Sequence, residues 1–197
     1  MLAHPVYIVD DDEGMLESIA LLLDFKGYIY SKYNCPQRFL ADVGELRAGC
    51  VLIDMDMPLI TGLDVCNTMR ARGILWPFIV LTGCATVGNC QDSFRSGAVD
   101  FLTKPADMDE ISASLSAASR RLDKILEKQE AISCIGMLTE RESEVLAYVC
   151  AGYTSKNIAY AMGISIRTVD AHRANIASKL KTTSVAEFVQ LRLLAGG

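Results

Sequence analysis

The 197-residue sequence has no apolar run long enough to span a bilayer, which takes about 20 residues as a helix. It has no basic N-terminal stretch leading into an apolar one, so a secretory signal is not expected. There are only two histidines, and none of the seven cysteines stands in a CxxC pair. That spacing argues against a structural zinc site, and the odd cysteine count argues against a disulfide framework. Reduced thiols in a cytoplasmic protein are the expectation. Repeats, low-complexity tracts and charge runs are also missing. No strongly basic segment exists either, although charge is uneven. Residues 1–133 hold 12 basic and 19 acidic side chains (net −7), and residues 134–197 hold 7 and 5 (net +2).

The length fits one large or two small domains. Over the first 105 residues, strand-like and helix-like stretches alternate. VYIVD (6–10), CVLID (50–54) and PFIVL (77–81) are apolar runs of the buried type, with YIYS (28–31) and VDFLT (99–103) as further strands. Between them, 13–25, 36–43, 63–72 and 86–96 read as helices. In the first of these Met15, Ile19, Leu22 and Leu23 recur at helical spacing. A longer helix runs from Met108 to about Gln129. Five such units with continuous apolar strands imply an α/β fold, a five-stranded doubly wound parallel sheet covered on both faces. Past residue 131 no strand is apparent. Residues 140–151, 155–162, 166–180 and 184–194 read as four short helices, a small all-α domain, and 131–137 (AISCIGM) as the linker. The division expected is 1–125, then 126–137 as the end of the long helix plus linker, then 138–197.

The chemistry concentrates at strand ends. Asp10, Asp11 and Asp12 follow the first strand, Asp54 and Asp56 the third, Thr82 ends the fourth, and Lys104 lies just past the fifth. In doubly wound sheets ligands bind beyond the carboxyl ends of strands, where strand order reverses. Converging carboxylates repel one another. A divalent cation that favours carboxylate, water and phosphate oxygens relieves this, and magnesium suits it. An ammonium and a hydroxyl on the same rim equip the site to accept a phosphoryl group. Single aspartates at strand ends often only turn the chain, but here matching groups fall at four strand ends together. Asp12 reads as a helix-start residue.

These residues carry a resemblance. IVDDDE (8–13), LIDMDMP (52–58) with TG at 61–62, VLTG (80–83) and SGAVDFLTKP (96–105) are similar to the receiver domain of bacterial two-component response regulators over residues 1–125. The resemblance implies that Asp54 is the phosphoacceptor. It implies that Asp11 binds magnesium (or manganese) directly, Asp10 mainly through water, and Asp56 through its backbone carbonyl, with Asp54 completing the set. Lys104 would contact the phosphoryl group, and Thr82 and Phe101 would form a switch pair. One departure stands after VLTG. Relatives often carry His and a small residue there, and this chain has Cys84-Ala85, followed by a polar helix containing Gly88. Neither Cys84 nor Cys90 shows an activating neighbour that would make them a redox pair.

Downstream, two helices (155–162 and 166–180) are joined at Gly163-Ile164-Ser165, with glycine suited to a left-handed cap and Ser165 to an N-cap. Ile158, Ala159, Met162, Ile164, Val169, Ile176 and Leu180 supply apolar contact. The stretch LTERESEVLAYVCAGYTSKNIAYAMGISIRTVDAHRANIASKL (138–180) resembles the DNA-binding domain of the LuxR-type (FixJ/NarL) regulators, and the match reaches about 194. That resemblance implies a recognition helix in the major groove, with Arg167, Thr168, Asp170, Ala171, Arg173, Ala174 and Lys179 toward DNA and His172 packing inward. Asp170 would repel phosphates but can accept from a cytosine amino group. With few cations, binding is expected to need a dimer and to weaken strongly with salt.

Together these readings predict a transcriptional response regulator. A sensor histidine kinase phosphorylates Asp54, the receiver shifts and a homodimer forms on double-stranded promoter DNA, with RNA polymerase as a further partner and no membrane. A receiver that only docks proteins, with constitutive DNA binding, is the competing reading, and magnesium-dependent phosphoryl uptake separates the two. An independent phosphatase is disfavoured because no His or Cys nucleophile with a base accompanies the acidic cleft.

Overall fold

The computed structural model describes residues 4–83 and 93–196. Cys84, Cys90 and the first part of the helix expected at 86–96 lie outside the described residues. The chain divides into two compact units, Met1–Ile125 and Leu126–Gly197.

The first unit is a parallel five-stranded sheet, β1 (Val6–Val9), β2 (Tyr30–Tyr33), β3 (Cys50–Asp54), β4 (Phe78–Thr82) and β5 (Asp100–Thr103), in the order β2-β1-β3-β4-β5. Strand order therefore reverses at β1, and the crevice between β1 and β3 is the switch point. The register aligns Val6–Val9 with Cys50–Ile53 and Asp54 with Leu81. β1, β3 and β4 are buried along their whole length, as strands covered on both faces must be. On one face their side chains pack with Phe39 of α2 (Pro36–Asp42) and with Val65 and Met69 of α3 (Gly62–Ala71), while α1 (Glu13–Phe25) joins β1 to β2. Asp12 caps α1, its Oδ1 accepting from the backbone of Gly14 (2.8 Å) and Met15 (3.1 Å).

Two details depart from the sequence reading. β2 covers Tyr30–Tyr33 rather than 28–31, with Ile29 exposed. α1 buries Leu16, Ile19, Ala20 and Leu23, which keeps Ile19 and Leu23 of the expected set and leaves Met15 and Leu22 half-buried. A third departure concerns the long helix α4, which runs from Met108 to Gly136. Residues 131–136, read as linker, are helical, because no Gly or Pro interrupts the segment before Gly136 and because Ala131 is fully buried. No helix among the described residues is long and apolar enough to cross a membrane.

The second unit contains α5 (Glu140–Cys150), α6 (Ser155–Met162), α7 (Ile166–Leu180) and α8 (Val185–Ala195). Its core is Val145, Leu146, Val149, Ile158, Ala159, Val169, Ile176, Leu180 and Phe188, with Met162 and Ile164 partly buried against it. Cys134 and Ile135 of α4 also pack there. Gly163 closes α6 in the left-handed region (φ 66°), and Ser165 caps α7 by accepting from the Thr168 backbone N–H at 3.1 Å. These two residues set the tight turn between the helices.

Candidate functional site

At the switch point, β1 delivers Asp10 and Asp11 and β3 delivers Asp54. One carboxylate oxygen from each lies within 4.8 Å of the others, with Asp10 and Asp54 buried and Asp11 exposed. Lys104 follows β5, whose register beside β4 carries it to the same rim. Its Nζ stands 2.6 Å from Asp10 Oδ2 and 2.7 Å from Asp54 Oδ1. Asp10 also accepts from the Asp12 backbone N–H at 2.9 Å. Burial raises the Asp10 pKa above the ordinary carboxylate value, outweighing the Lys104 hydrogen bond that pulls it down. Burial opposes the Lys104 charge as well, but there the bonds to Asp10 and Asp54 win, and its pKa is raised.

Thr82 is fully buried, and its hydroxyl donates to Asp56 Oδ2 at 3.4 Å. The Asp56 side chain is exposed and stands outside the carboxylate cluster. Phe101 is half-buried on β5, opposite Val80, and packs against the sheet core. The loop after β3 returns tightly, with the Gly62 backbone N–H donating to the Met55 carbonyl at 3.1 Å. A Cβ on Gly62 would fall 2.2 Å from the Asp54 carbonyl oxygen. Glycine there is a condition for the helix to begin so close to Asp54. The TG pair was visible in the sequence, but the close approach was not.

On α7, Arg167, Asp170, Ala171 and Ala174 form one exposed stripe at i, i+3, i+4 and i+7 spacing. Thr168 is also exposed, its hydroxyl 2.8 Å from that of Ser165, and Arg173 and His172 are half-buried. Lys179 is half-buried near the end of α7. Its ammonium lies 2.6 Å from Glu142 Oε2 and donates to the Met137 carbonyl at 3.1 Å, on the side of α7 that packs against α5. Glu142 itself is buried and closes a capping box with Thr139, whose hydroxyl it accepts at 3.0 Å. Hydrogen bonds from Lys179 and then from the Thr139 backbone hold the Glu142 carboxyl down at about 2. Thr139-x-x-Glu142 is a legible cap signature, but its link to Lys179, 37 residues on, is tertiary.

Family models match both units. Residues 6–116 match the response regulator receiver domain, and residues 136–192 match the bacterial regulatory proteins of the luxR family. The chain is 37% identical over 196 residues to the transcriptional regulatory protein FixJ of Azorhizobium caulinodans, covering 98% of this chain and 93% of that one. It is 34% identical over 185 residues to the tetrathionate response regulatory protein TtrR of Salmonella typhimurium, covering 94% and 90%. Among solved structures, the response regulator StyR superposes with a TM-score of 0.74 at 30% identity, over 96% of this chain and 98% of that one. Full-length FixJ from B. japonicum superposes at 0.61 and 32%, over 100% and 98%. The chain belongs to the two-component response regulators, a receiver joined to a LuxR-type helix-turn-helix. Its likeness to the FixJ regulators extends over nearly its whole length, and it is a DNA-binding transcription regulator rather than a metabolic enzyme.

Proposed function

We propose that Asp54 is the phosphoacceptor and that its phosphorylation by a sensor histidine kinase controls DNA binding through α7. The observation that carries this reading is the Lys104 ammonium within 2.7 Å of both Asp10 and Asp54 at the sheet's switch point. An Asp54 oxygen attacks phosphorus, the acyl phosphate forms, and the bond to the donor breaks with its electron pair leaving on the donor. Lys104 offsets charge on the transferring oxygens, and the Thr82 hydroxyl donates to one of them.

The donor set also fits a hard divalent cation, since it offers carboxylate oxygens and no nitrogen or sulfur. Asp11 and Asp54 would hold magnesium (or manganese) directly, Asp10 mainly through water and Asp56 through its backbone carbonyl. When bound, the ion neutralises further charge on the phosphoryl oxygens. Asp10's two existing hydrogen bonds support its indirect part.

Engagement of Thr82 draws Phe101, which lies opposite Val80 two residues before Thr82 on β4, and shifts a pre-existing equilibrium. A shift from one per cent to ninety-nine takes about 5.5 kcal/mol of differential stabilisation. Arg167, Thr168, Asp170, Ala171, Arg173 and Ala174 face DNA, while Lys179 serves the fold of the helix pair. The small positive charge of residues 134–197 supports binding as a phosphorylation-dependent homodimer on a two-fold site. The working unit is then a cytoplasmic dimer of 1–125 receivers and 138–197 DNA-binding domains, acting on RNA polymerase at the promoter.

The test is intact mass after incubation with magnesium and acetyl phosphate, beside Asp54→Ala. One added phosphoryl group, lost in the variant and with EDTA, is the expected result. No gain in folded protein refutes the reading.

A further inference from the structure

Aspartate is uncommon inside a β-strand, where β-branched and aromatic side chains fit better, yet Asp100 opens β5 directly before Phe101. It stands outside the carboxylate cluster of Asp10, Asp11 and Asp54. Half-buried, it uses both of its oxygens within the receiver unit. Oδ1 accepts from the backbone N–H of Phe101 at 2.8 Å, and Oδ2 accepts from the Ser114 hydroxyl at 2.5 Å. Ser114 is 3% exposed and lies in the second turn of α4, 14 residues on.

β5 does not need this bond to stay in the sheet, because its backbone is paired with β4 from Asp100 to Thr103. What the bond adds is a link across the strand. Successive side chains of a strand point to opposite faces. Phe101 packs into the cluster that holds Phe78 and Val80, so Asp100 points to the other face, and there it holds α4. A displacement of Phe101 moves the N–H that Oδ1 accepts, and the same carboxylate passes the movement to Ser114. A charge-assisted O–H···O⁻ bond is among the stronger kinds, and buried Ser114 has little access to water that could replace it. The helix so gripped continues to Gly136, past the boundary between the two units at Ile125.

We infer that Asp100 is a positioning residue, and that its bond to Ser114 carries a displacement of β5 into α4. This rests on the reading that phosphorylation of Asp54 is felt at Phe101, and the experiment separates the two.

Full-length chain is prepared as wild type, Ser114→Ala, Asp100→Ala, Asp100→Asn and the double variant Asp100→Ala with Ser114→Ala. Phosphoryl uptake from acetyl phosphate with magnesium is followed by intact mass. Affinity is measured, with and without that treatment, for a duplex that treated wild type selects from a randomised pool. Treatment is expected to tighten wild-type binding roughly 5- to 150-fold, the usual span of allosteric coupling. Ser114→Ala and Asp100→Ala should take up the phosphoryl group at the wild-type rate, yet tighten by less than about two-fold. The double variant should respond like either single one, as partners in one bond do. Asp100→Asn should keep most of the response, because its Oδ1 still accepts from Phe101 and its amide N–H can donate to the Ser114 hydroxyl. Ser114→Ala removes one oxygen at a helical position where alanine is favourable, so unchanged circular dichroism is expected. A wild-type response in Ser114→Ala and Asp100→Ala overturns the inference and leaves Asp54 as the phosphoacceptor. So does a response lost as fully in Asp100→Asn as in Asp100→Ala, or an uptake that falls along with the response. If wild type takes up no phosphoryl group, or binds the duplex equally with and without it, the underlying reading falls and the inference with it.

Discussion

Substituting Gly62 with alanine probes how tightly the site is built. The added Cβ would sit 2.2 Å from the Asp54 carbonyl oxygen, 3.1 Å from its carbonyl carbon and 3.2 Å from Ile53 Cγ1. Ordinary contact begins at 3.4 Å, so α3 and the end of β3 must separate by about 1 Å. Alanine normally helps a helix by up to about 1 kcal/mol over glycine. Overpacking against backbone costs typically about 1–3 kcal/mol and wins here. For a unit of this size the Tm falls by roughly 3–10 °C. Chemistry suffers more than stability, since a displacement of about 1 Å at a reacting group can cost around a hundred-fold in rate. The assay is thermal unfolding beside a time course of phosphoryl uptake from acetyl phosphate, with Gly44→Ala as control, whose Cβ meets nothing within 4 Å. Equal Tm and equal uptake in Gly62→Ala and wild type would refute the close-approach argument.

Other outcomes follow from the same geometry. Lys104→Ala removes the ammonium between Asp10 and Asp54 and should slow phosphoryl uptake by at least ten-fold, on the order of one charge-assisted hydrogen bond, as read by intact mass against time. Because the Glu142 carboxyl is held at about 2 in the folded protein, its stabilising contribution is complete above the ordinary value of 4.5 and is lost as pH falls toward 2. Acid unfolding followed by circular dichroism should show this loss in wild type and not in Glu142→Gln, which should already be less stable at pH 7. Leu146→Ala empties a site that is 2% exposed and should cost about 2–5 kcal/mol in denaturant unfolding of the second unit. Cys50 and Cys66 are buried, and burial pushes the Cys50 thiol up to about 12. Both should stay unlabelled by maleimide in native protein, as peptide mapping will show.

The central fold was legible because β1, β3 and β4 are unbroken apolar runs that end in chemically distinctive residues. Strand ends in a doubly wound sheet converge, so Asp10, Asp11, Asp54, Thr82 and Lys104 could be placed near one another before any distance was known. The bounds of β2 are hard to read because it is an edge strand, paired with β1, and its Ser31 and Lys32 carry no apolar pattern. The phase of α1 is hard to read in its last turns because Leu21, Leu22 and Leu23 are consecutive, and only Leu23 is buried. The ion pair of Lys179 with Glu142 crosses the helix pair, and no local pattern encodes it.

The sheet order also dictates a timetable. β1 is made first, yet its partners on either side come 24 and 44 residues later, at Tyr30 and Cys50 opposite Val6. At ribosomal speeds of about 5–20 residues per second, the strand VYIV waits roughly two to nine seconds for its second neighbour. Until then a fully apolar strand has open edges, the state most prone to pair with the wrong chain. The strand that positions Asp10 is therefore also the point where synthesis most exposes this protein to aggregation, and where a holding chaperone would act.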